Sequence, residues 1–101
     1  MDTKQLLTEV KARFNHNSAK AYLKDKYESK LCVADQGGLW KITPELISAV
    51  NGLSTDTVVL LDNYGNPVKV NRANLLLKLE KTYNDVMEQW HSEWATLEKA
   101  R

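Results

Sequence analysis

Cys32 and the two histidines, His16 and His91, are the residues of this sequence whose types suit nucleophilic catalysis. A thiolate forms most readily beside an imidazole that takes its proton, so Cys32 with either histidine is the minimal pair for such chemistry. Cys32, however, lies within the apolar run 31–34, where a buried and unreactive thiol is the usual outcome. The sequence therefore predicts a packing role for Cys32, no catalytic residues, and a protein that is not an enzyme.

Glu88 and His91 are three residues apart on a predicted helix, which is the spacing of the Glu-x-x-His element in di-iron bundles. Such a site needs two of these elements and two further carboxylates, whereas the chain supplies one element that only a homodimer would double. Residues 62–66 lack the alternating carboxylates and the terminal glutamate of a calcium loop. We therefore expect no metal and no cofactor, with His91 a solvated or packing residue beside Trp90.

Length, charge and cysteine content narrow the class of protein. The 101 residues suit one domain, 1–101, and 14 Lys+Arg against 13 Asp+Glu leave a net charge of +1. That balance argues against binding driven mainly by phosphate neutralisation. No segment approaches the roughly 18 apolar residues of a membrane span, and no signal sequence opens the chain. One cysteine cannot form a disulfide within the chain, so we expect a cytoplasmic setting.

Residues 1–30 are predicted to form an αα-hairpin. Apolar residues recur at helical spacing on both sides of the polar segment 15–18, whose residue types favour turns and caps. The stripe residues are Leu6, Leu7, Val10 and Phe14 in the first helix, and Ala19, Tyr22, Leu23 and Tyr27 in the second.

The same segment is the most basic part of the chain, with seven basic and four acidic residues. In a helix-turn-helix arrangement, Lys20, Lys24 and Lys26 would form a phosphate-contacting face. Two acidic residues interrupt this patch, and such a pattern more often indicates a lysine-rich helix face that is simply exposed to solvent. Nucleic-acid binding through these three lysines is therefore the alternative function, and retention on heparin that falls steeply with salt would favour it.

Residues 31–70 are predicted to form a β-β-α-β-β unit. Gly37 and Gly38 separate two short apolar runs and lack the further residues of a phosphate loop, so they predict a hairpin turn over 31–42. Thr43 and Pro44 are typical of a helix start. The apolar run 57–61 predicts a central strand covered on both faces, and with 62–70 it predicts a second hairpin. Together the hairpins predict one small antiparallel sheet in an α+β fold.

Residues 71–101 predict a long C-terminal helix, because no Gly or Pro follows Asn71. About 29 helical residues measure roughly 43 Å, longer than the roughly 33 Å diameter of a compact domain of this size. The apolar stripe of this helix comprises Leu76, Leu79, Tyr83, Val86, Trp90, Trp94 and Leu97. Either the N-terminal hairpin covers the projecting part, or it is an interface. We predict a homodimer through the protein-interface residues Val86, Trp90, Trp94 and Leu97.

The predicted core joins the apolar positions of all these elements. Its members are Leu6, Val10, Phe14, Tyr22, Leu23, Val33, Trp40, Ile42, Leu46, Val50, Val59, Leu61, Leu76, Leu79 and Tyr83.

The stretch 58–72, VVLLDNYGNPVKVNR, running into the helix that carries Trp90 and Trp94, resembles small accessory proteins of contractile-tailed bacteriophages. The resemblance covers the last 60 residues or so and carries no catalytic residues. It implies a non-enzymatic role in the cytoplasm of the infected bacterium, either in virion assembly or in binding a host protein. The function predicted is therefore a protein–protein interaction module that binds a host or phage protein through apolar helical surface, with no membrane association.

Overall fold

The computed structural model describes the backbone of residues 3–99 and the side chains of residues 16–99. It is an α+β fold with three helices and two antiparallel hairpins, which confirms the predicted class and the long last helix. The elements are α1 (Thr3–Lys30), β1 (Cys32–Asp35), β2 (Gly38–Lys41), α2 (Pro44–Asn51), β3 (Thr57–Leu61), β4 (Pro67–Asn71) and α3 (Arg72–Lys99).

The molecule is elongated, with extents of 66 × 24 × 19 Å. One end, here called the head, holds both hairpins, α2 and the first half of α3. The rest, here called the arm, is the antiparallel pair of α1 and the second half of α3. The pairing brings Tyr27 beside Trp90, and it brings Lys20 beside Glu98 nearer the end of α3. The part of α3 that outruns the head therefore lies against α1.

A single helix, α1, stands where an αα-hairpin was predicted. The helix continues through residues 15–18 because that segment contains no Gly or Pro, and Asn, His and Ser each weaken a helix by only about 0.5 kcal/mol relative to Ala. Contacts with α3 also support the helix there, since His16 Nε2 and Lys20 Nζ lie 3.4 and 2.9 Å from Glu98 Oε1. The prediction placed a turn where tertiary contacts stabilise a helix.

The hairpins form two separate two-stranded sheets instead of the one predicted. Three hydrogen bonds of side chains and one between main chains join them where strand pairing was expected. The amide of Gln36 accepts from the Asn71 N–H at 2.7 Å and donates to the Asn71 carbonyl at 3.2 Å. Leu39 N–H donates to the Asp62 carboxylate at 3.2 Å, while the Leu39 carbonyl accepts from Asn63 N–H at 2.7 Å. These bonds occupy main-chain groups that a neighbouring strand would otherwise use.

The turn of the first hairpin uses Gln36 and Gly37, not the predicted Gly37–Gly38 pair, as its central residues. Their φ angles are 51° and 85°, and both are positive as in the two-residue turns that suit the twist of a hairpin. Gln36 is an unusual residue at positive φ, and its two bonds to Asn71 help to hold it there. Gly38 serves a different purpose, because a Cβ there would lie 2.8 Å from the Trp40 ring.

The head core is built from both hairpins, α2 and α3. Its buried residues are Trp40, Ile42, Val50, Val70, Leu75 and Leu79, with Val33, Leu46, Leu76 and Tyr83 packed partly buried against them. The Trp40 indole N–H donates to the Asp35 carbonyl at 3.0 Å, so the buried ring keeps its hydrogen bond. The predicted core members of 31–50 and 76–83 are confirmed as buried or partly buried.

Three predicted core residues are exposed instead: Tyr22 at 67%, Val59 at 61% and Leu61 at 68%. Val59 and Leu61 lie on the outer face of β3, whose two-stranded sheet packs against the core on one face only. The prediction of a central strand covered on both faces was therefore wrong. The buried face of this hairpin uses Val58, Leu60 and Val70. The side chains of Leu6, Val10 and Phe14 lie outside the described residues.

Candidate protein-binding surface on the helical arm

Within residues 16–99, an apolar cluster forms the inner face of the arm between α1 and α3. Its buried members are Leu23, Tyr27 and Val86, and the partly buried Trp90 stacks on Tyr27 with ring centroids 6.0 Å apart and planes within 10°. Of the four predicted interface residues, Val86, Trp90 and Leu97 therefore pack against α1 of the same chain. The sequence left two alternatives for the apolar stripe of α3: the N-terminal segment covers it, or it is an interface. The packing of these three residues against α1 fits the first alternative.

Trp94 is the predicted interface residue that stays exposed. Its side chain is 41% exposed and stacks against His91 with ring centroids 5.9 Å apart. The homodimer through α3 stays a prediction, and in this geometry it would rest on Trp94 more than on the other three residues.

The carboxylate of Glu93 on α3 is hydrogen-bonded to two side chains of α1 beside this cluster. It accepts a hydrogen bond from the Lys26 ammonium at 2.8 Å and another from the Tyr27 hydroxyl at 2.5 Å. Both donors favour the charged carboxylate, Lys26 more than Tyr27, and they lower the pKa of Glu93 below its ordinary value of 4.5. The same bonds raise the pKa of Lys26 and of Tyr27. Three side chains from two helices thus form one charge-assisted network.

This network predicts that the arm loses stability in acid. Because the pKa of Glu93 is lower in the folded chain than in the unfolded chain, the unfolded state binds more protons as pH falls. The stabilisation is present above the ordinary glutamate pKa of 4.5 and is lost as pH falls through the folded value. We expect the α-helical signal of Glu93→Gln to unfold in urea with a weaker dependence on acid pH than that of the unchanged protein.

Glu88→Gln is the matched control for that titration, since Glu88 is an exposed glutamate on the same helix. It should keep the acid dependence of the unchanged protein. Equal pH profiles for Glu93→Gln and the unchanged protein would contradict the assignment of the effect to Glu93.

The three lysines of the alternative function do not share one face. Lys20 lies 2.9 Å from Glu98 and Lys26 lies 2.8 Å from Glu93, so two of the three ammonium groups face carboxylates of α3. Lys24 and Lys26 are two residues apart on a helix and hence about 200° apart around its axis. Nucleic-acid binding stays a prediction, and this geometry gives it less positive surface than the sequence indicated.

An open groove of about 420 Å³ runs along the arm between α1 and α3. Its lining residues are Ala19, Tyr22, Leu23, Ser92, Glu93, Thr96 and Leu97. Leu23 and Leu97 supply buried and partly buried apolar surface, and the exposed Tyr22 also lines the groove. We call these seven residues the arm groove. Helical spacing assigned Tyr22 to the core, and only the packing of α1 on α3 shows that it belongs to this surface.

The residues considered for catalysis lie on three different elements: Cys32 on β1, His16 on α1 and His91 on α3. Cys32 is an exposed free thiol on β1, so the prediction that it is buried was wrong, because its side chain lies on the outward face of a two-stranded sheet. Within residues 16–99 no hydrogen bond joins Cys32 to His16 or His91. Nor does that part of the chain bring together three or more His, Cys, Asp or Glu that could hold a metal ion.

The turn 62–66, which was compared with a calcium loop, uses its one acidic residue for a structural purpose. The carboxylate of Asp62 accepts from the N–H groups of Asn66 at 3.0 Å, Leu39 at 3.2 Å and Tyr64 at 2.9 Å. These donors lower the pKa of Asp62, with Asn66 contributing most. The side chain therefore closes the turn of the second hairpin and joins it to β2 of the first.

Neither long helix offers a membrane span over the residues described, because α1 and α3 are too polar along their length to cross a bilayer. A comparison of the chain with protein-family models, curated proteins and solved structures finds no match in any of the three.

Proposed function

We propose that this protein is a non-enzymatic protein-binding module whose arm groove receives an apolar helix of another protein. The observation that carries the proposal is the groove itself, which leaves Tyr22 67% exposed beside the apolar side chains of Leu23 and Leu97. Two paired helices bury one face each, and a third helix laid along the groove would complete a three-helix bundle.

Small side chains favour a helix as the occupant. Ala19, Ser92 and Thr96 line the groove, so a partner backbone can approach α1 and α3 closely. Tyr22 is a large amphipathic side chain of the kind enriched in binding hot spots, and covering its exposed ring would contribute about 1–2 kcal/mol.

Two of the polar side chains that line the groove are hydrogen-bonded within the chain. The Thr96 hydroxyl donates to the Ser92 carbonyl at 3.1 Å, and the Glu93 carboxylate accepts from Lys26 and Tyr27. An apolar partner would therefore cover these two side chains without breaking their hydrogen bonds.

The partner proposed is a protein of the host bacterium or of the virion, as the resemblance to phage accessory proteins implies. A second copy of this chain, docked through α3 as in the predicted homodimer, is the other occupant that the experiment below distinguishes.

A photo-crosslinking amino acid at position 22 should capture the partner in cells. The same residue at position 24 is the control, since Lys24 is exposed on α1 but outside the groove. We expect an adduct from position 22 that is absent from position 24, and that disappears when Ala19→Arg fills the groove of an otherwise folded chain. An adduct of twice the chain mass, 11.5 kDa each, would indicate self-association instead. Equal adducts from both positions would contradict the proposal.

A further inference from the structure

The second hairpin carries an open strand edge on β3. Its register pairs Thr57 with Asn71, Val59 with Lys69 and Leu61 with Pro67. Beyond the two ends of the ladder, Arg72 N–H donates to the Asp56 carbonyl at 2.8 Å and Asp62 N–H donates to the Asn66 carbonyl at 3.0 Å. Hydrogen-bonded pairs alternate with non-bonded pairs in an antiparallel ladder, so Val58 and Leu60 use their main-chain groups within the hairpin.

The same alternation leaves Thr57, Val59 and Leu61 with their N–H and C=O groups directed away from β4. Nothing else in residues 16–99 hydrogen-bonds to the main chain of these three residues. Their side chains lie on the exposed face, with Val59 at 61% and Leu61 at 68%. The edge thus offers a row of donors and acceptors beside an apolar surface.

The opposite edge of the hairpin is closed at each corresponding position of β4. Pro67 has no N–H to donate, Lys69 is charged, and Asn71 has both main-chain groups bonded to the Gln36 amide. Proline, lysine and a covering side chain are the usual protections of a strand edge, and β3 has none of them in its sequence TVVLL.

We propose that β3 pairs with β3 of a second copy of this chain, antiparallel about a two-fold axis at Val59. The axis places Val59 opposite Val59 of the other copy, and Thr57 opposite its Leu61. No charged residue occurs on β3, so this self-pairing opposes no like charges. Each of the three residues exchanges both of its free main-chain bonds, and two marginal two-stranded sheets become one sheet of four strands.

Self-pairing fits this edge better than pairing with β4 of another copy, because the edge of β4 is closed. The first hairpin is a less suitable edge for such pairing. On β1 the alternation leaves the main-chain groups of only two residues, Cys32 and Ala34, free for another strand, and the charged Asp35 is next to them. The dimer is therefore isologous, with β3 contributing the same residues from both copies.

Charge pairing at position 59 tests the proposal. Light scattering and sedimentation should show the unchanged protein moving from 11.5 kDa toward twice that mass as concentration rises. Val59→Lys or Val59→Glu alone should raise the dimer dissociation constant by about tenfold or more, because like charges then face each other at the axis. An equal mixture of the two variants should form dimers again.

A control variant and a hydrogen-exchange measurement test whether the dimer forms through β3. Tyr64→Lys places the same charge on an exposed residue of the turn, off the edge, and should leave the dimer intact. The amides of Thr57, Val59 and Leu61 should exchange hydrogen more slowly as concentration rises. A monomer at all concentrations would overturn the proposal, as would a dimer that Trp94→Ser dissociates and Val59→Lys does not.

The result is independent of the arm groove. Val59→Lys should leave the crosslink from position 22 unchanged, so failure of the β3 dimer and failure of the groove are distinguishable.

Discussion

Trp40→Ala is expected to destabilise the protein by about 3–5 kcal/mol, a large part of the stability of a domain of this size. Trp40 is 1% exposed and lies in the head core with Ile42 and Leu79. Truncation leaves a cavity there and removes the hydrogen bond that the indole donates to the Asp35 carbonyl. Each kcal/mol lowers the melting temperature by about 4–8 °C in a domain of about 100 residues, so thermal unfolding followed by circular dichroism should show it clearly.

Trp94→Ala is the matched control, because it removes the same side chain from a 41% exposed position. Its expected cost is about 1 kcal/mol or less. Similar melting temperatures for the two variants would contradict the location of the core in the head.

Leu23→Ala is expected to release α1 from α3 while the head stays folded. Among residues 16–99 the arm cluster has three buried residues, and Leu23 is 7% exposed among them. Losing it should cost about 2–5 kcal/mol, most of which falls on the contact between the helices. Hydrogen exchange should then accelerate in residues 16–30 and 86–99, while the amides of β1 to β4 keep their protection.

Tyr22→Ala removes a larger side chain from the neighbouring position, which is 67% exposed, and should leave exchange unchanged. The comparison separates packing from simple loss of helical residues. If Leu23→Ala accelerated exchange in the hairpins as much as in the arm, head and arm would be one cooperative unit instead of two.

The parts of the fold that short-range chemistry determines were predictable. Thr43 accepts from the Leu46 N–H at 3.0 Å and Pro44 occupies the first turn of α2, as their residue types indicated. Both hairpins were predicted because turn residues separate short apolar runs at 36–38 and 62–66. In each case the signal and the contact it specifies lie within a few residues.

Long-range contacts were not predictable in the same way. Tyr27 and Glu93 are 66 residues apart, and nothing in the helical spacing of either predicts their hydrogen bond. The exposure of Val59 depends on how the sheet is covered, and the sequence does not reveal this. The same apolar run suits a strand that is covered on both faces and a strand that is covered on one. Gln36 was missed because its positive φ is stabilised by Asn71, far along the chain.

Of the arm groove, the sequence predicted Ala19 and Leu97 as apolar helix positions but assigned Tyr22 to the interior. Periodicity identifies an apolar stripe without telling which edge of it a second helix covers. The groove exists only once α1 lies on α3, and the polar link at 15–18 had predicted a turn in that helix.

The pairing of α1 with α3 has a consequence for the chain as it is synthesised. At about 5–20 residues per second, roughly 3 to 13 seconds separate the translation of Tyr27 from that of Glu93, 66 residues later. Each hairpin completes its own ladder within a few residues, whereas α1 leaves the ribosome long before its partner exists. During that interval the face of α1 that carries Leu23 and Tyr27 is open to chaperones and other nascent chains, and the arm is the last part of the molecule to close.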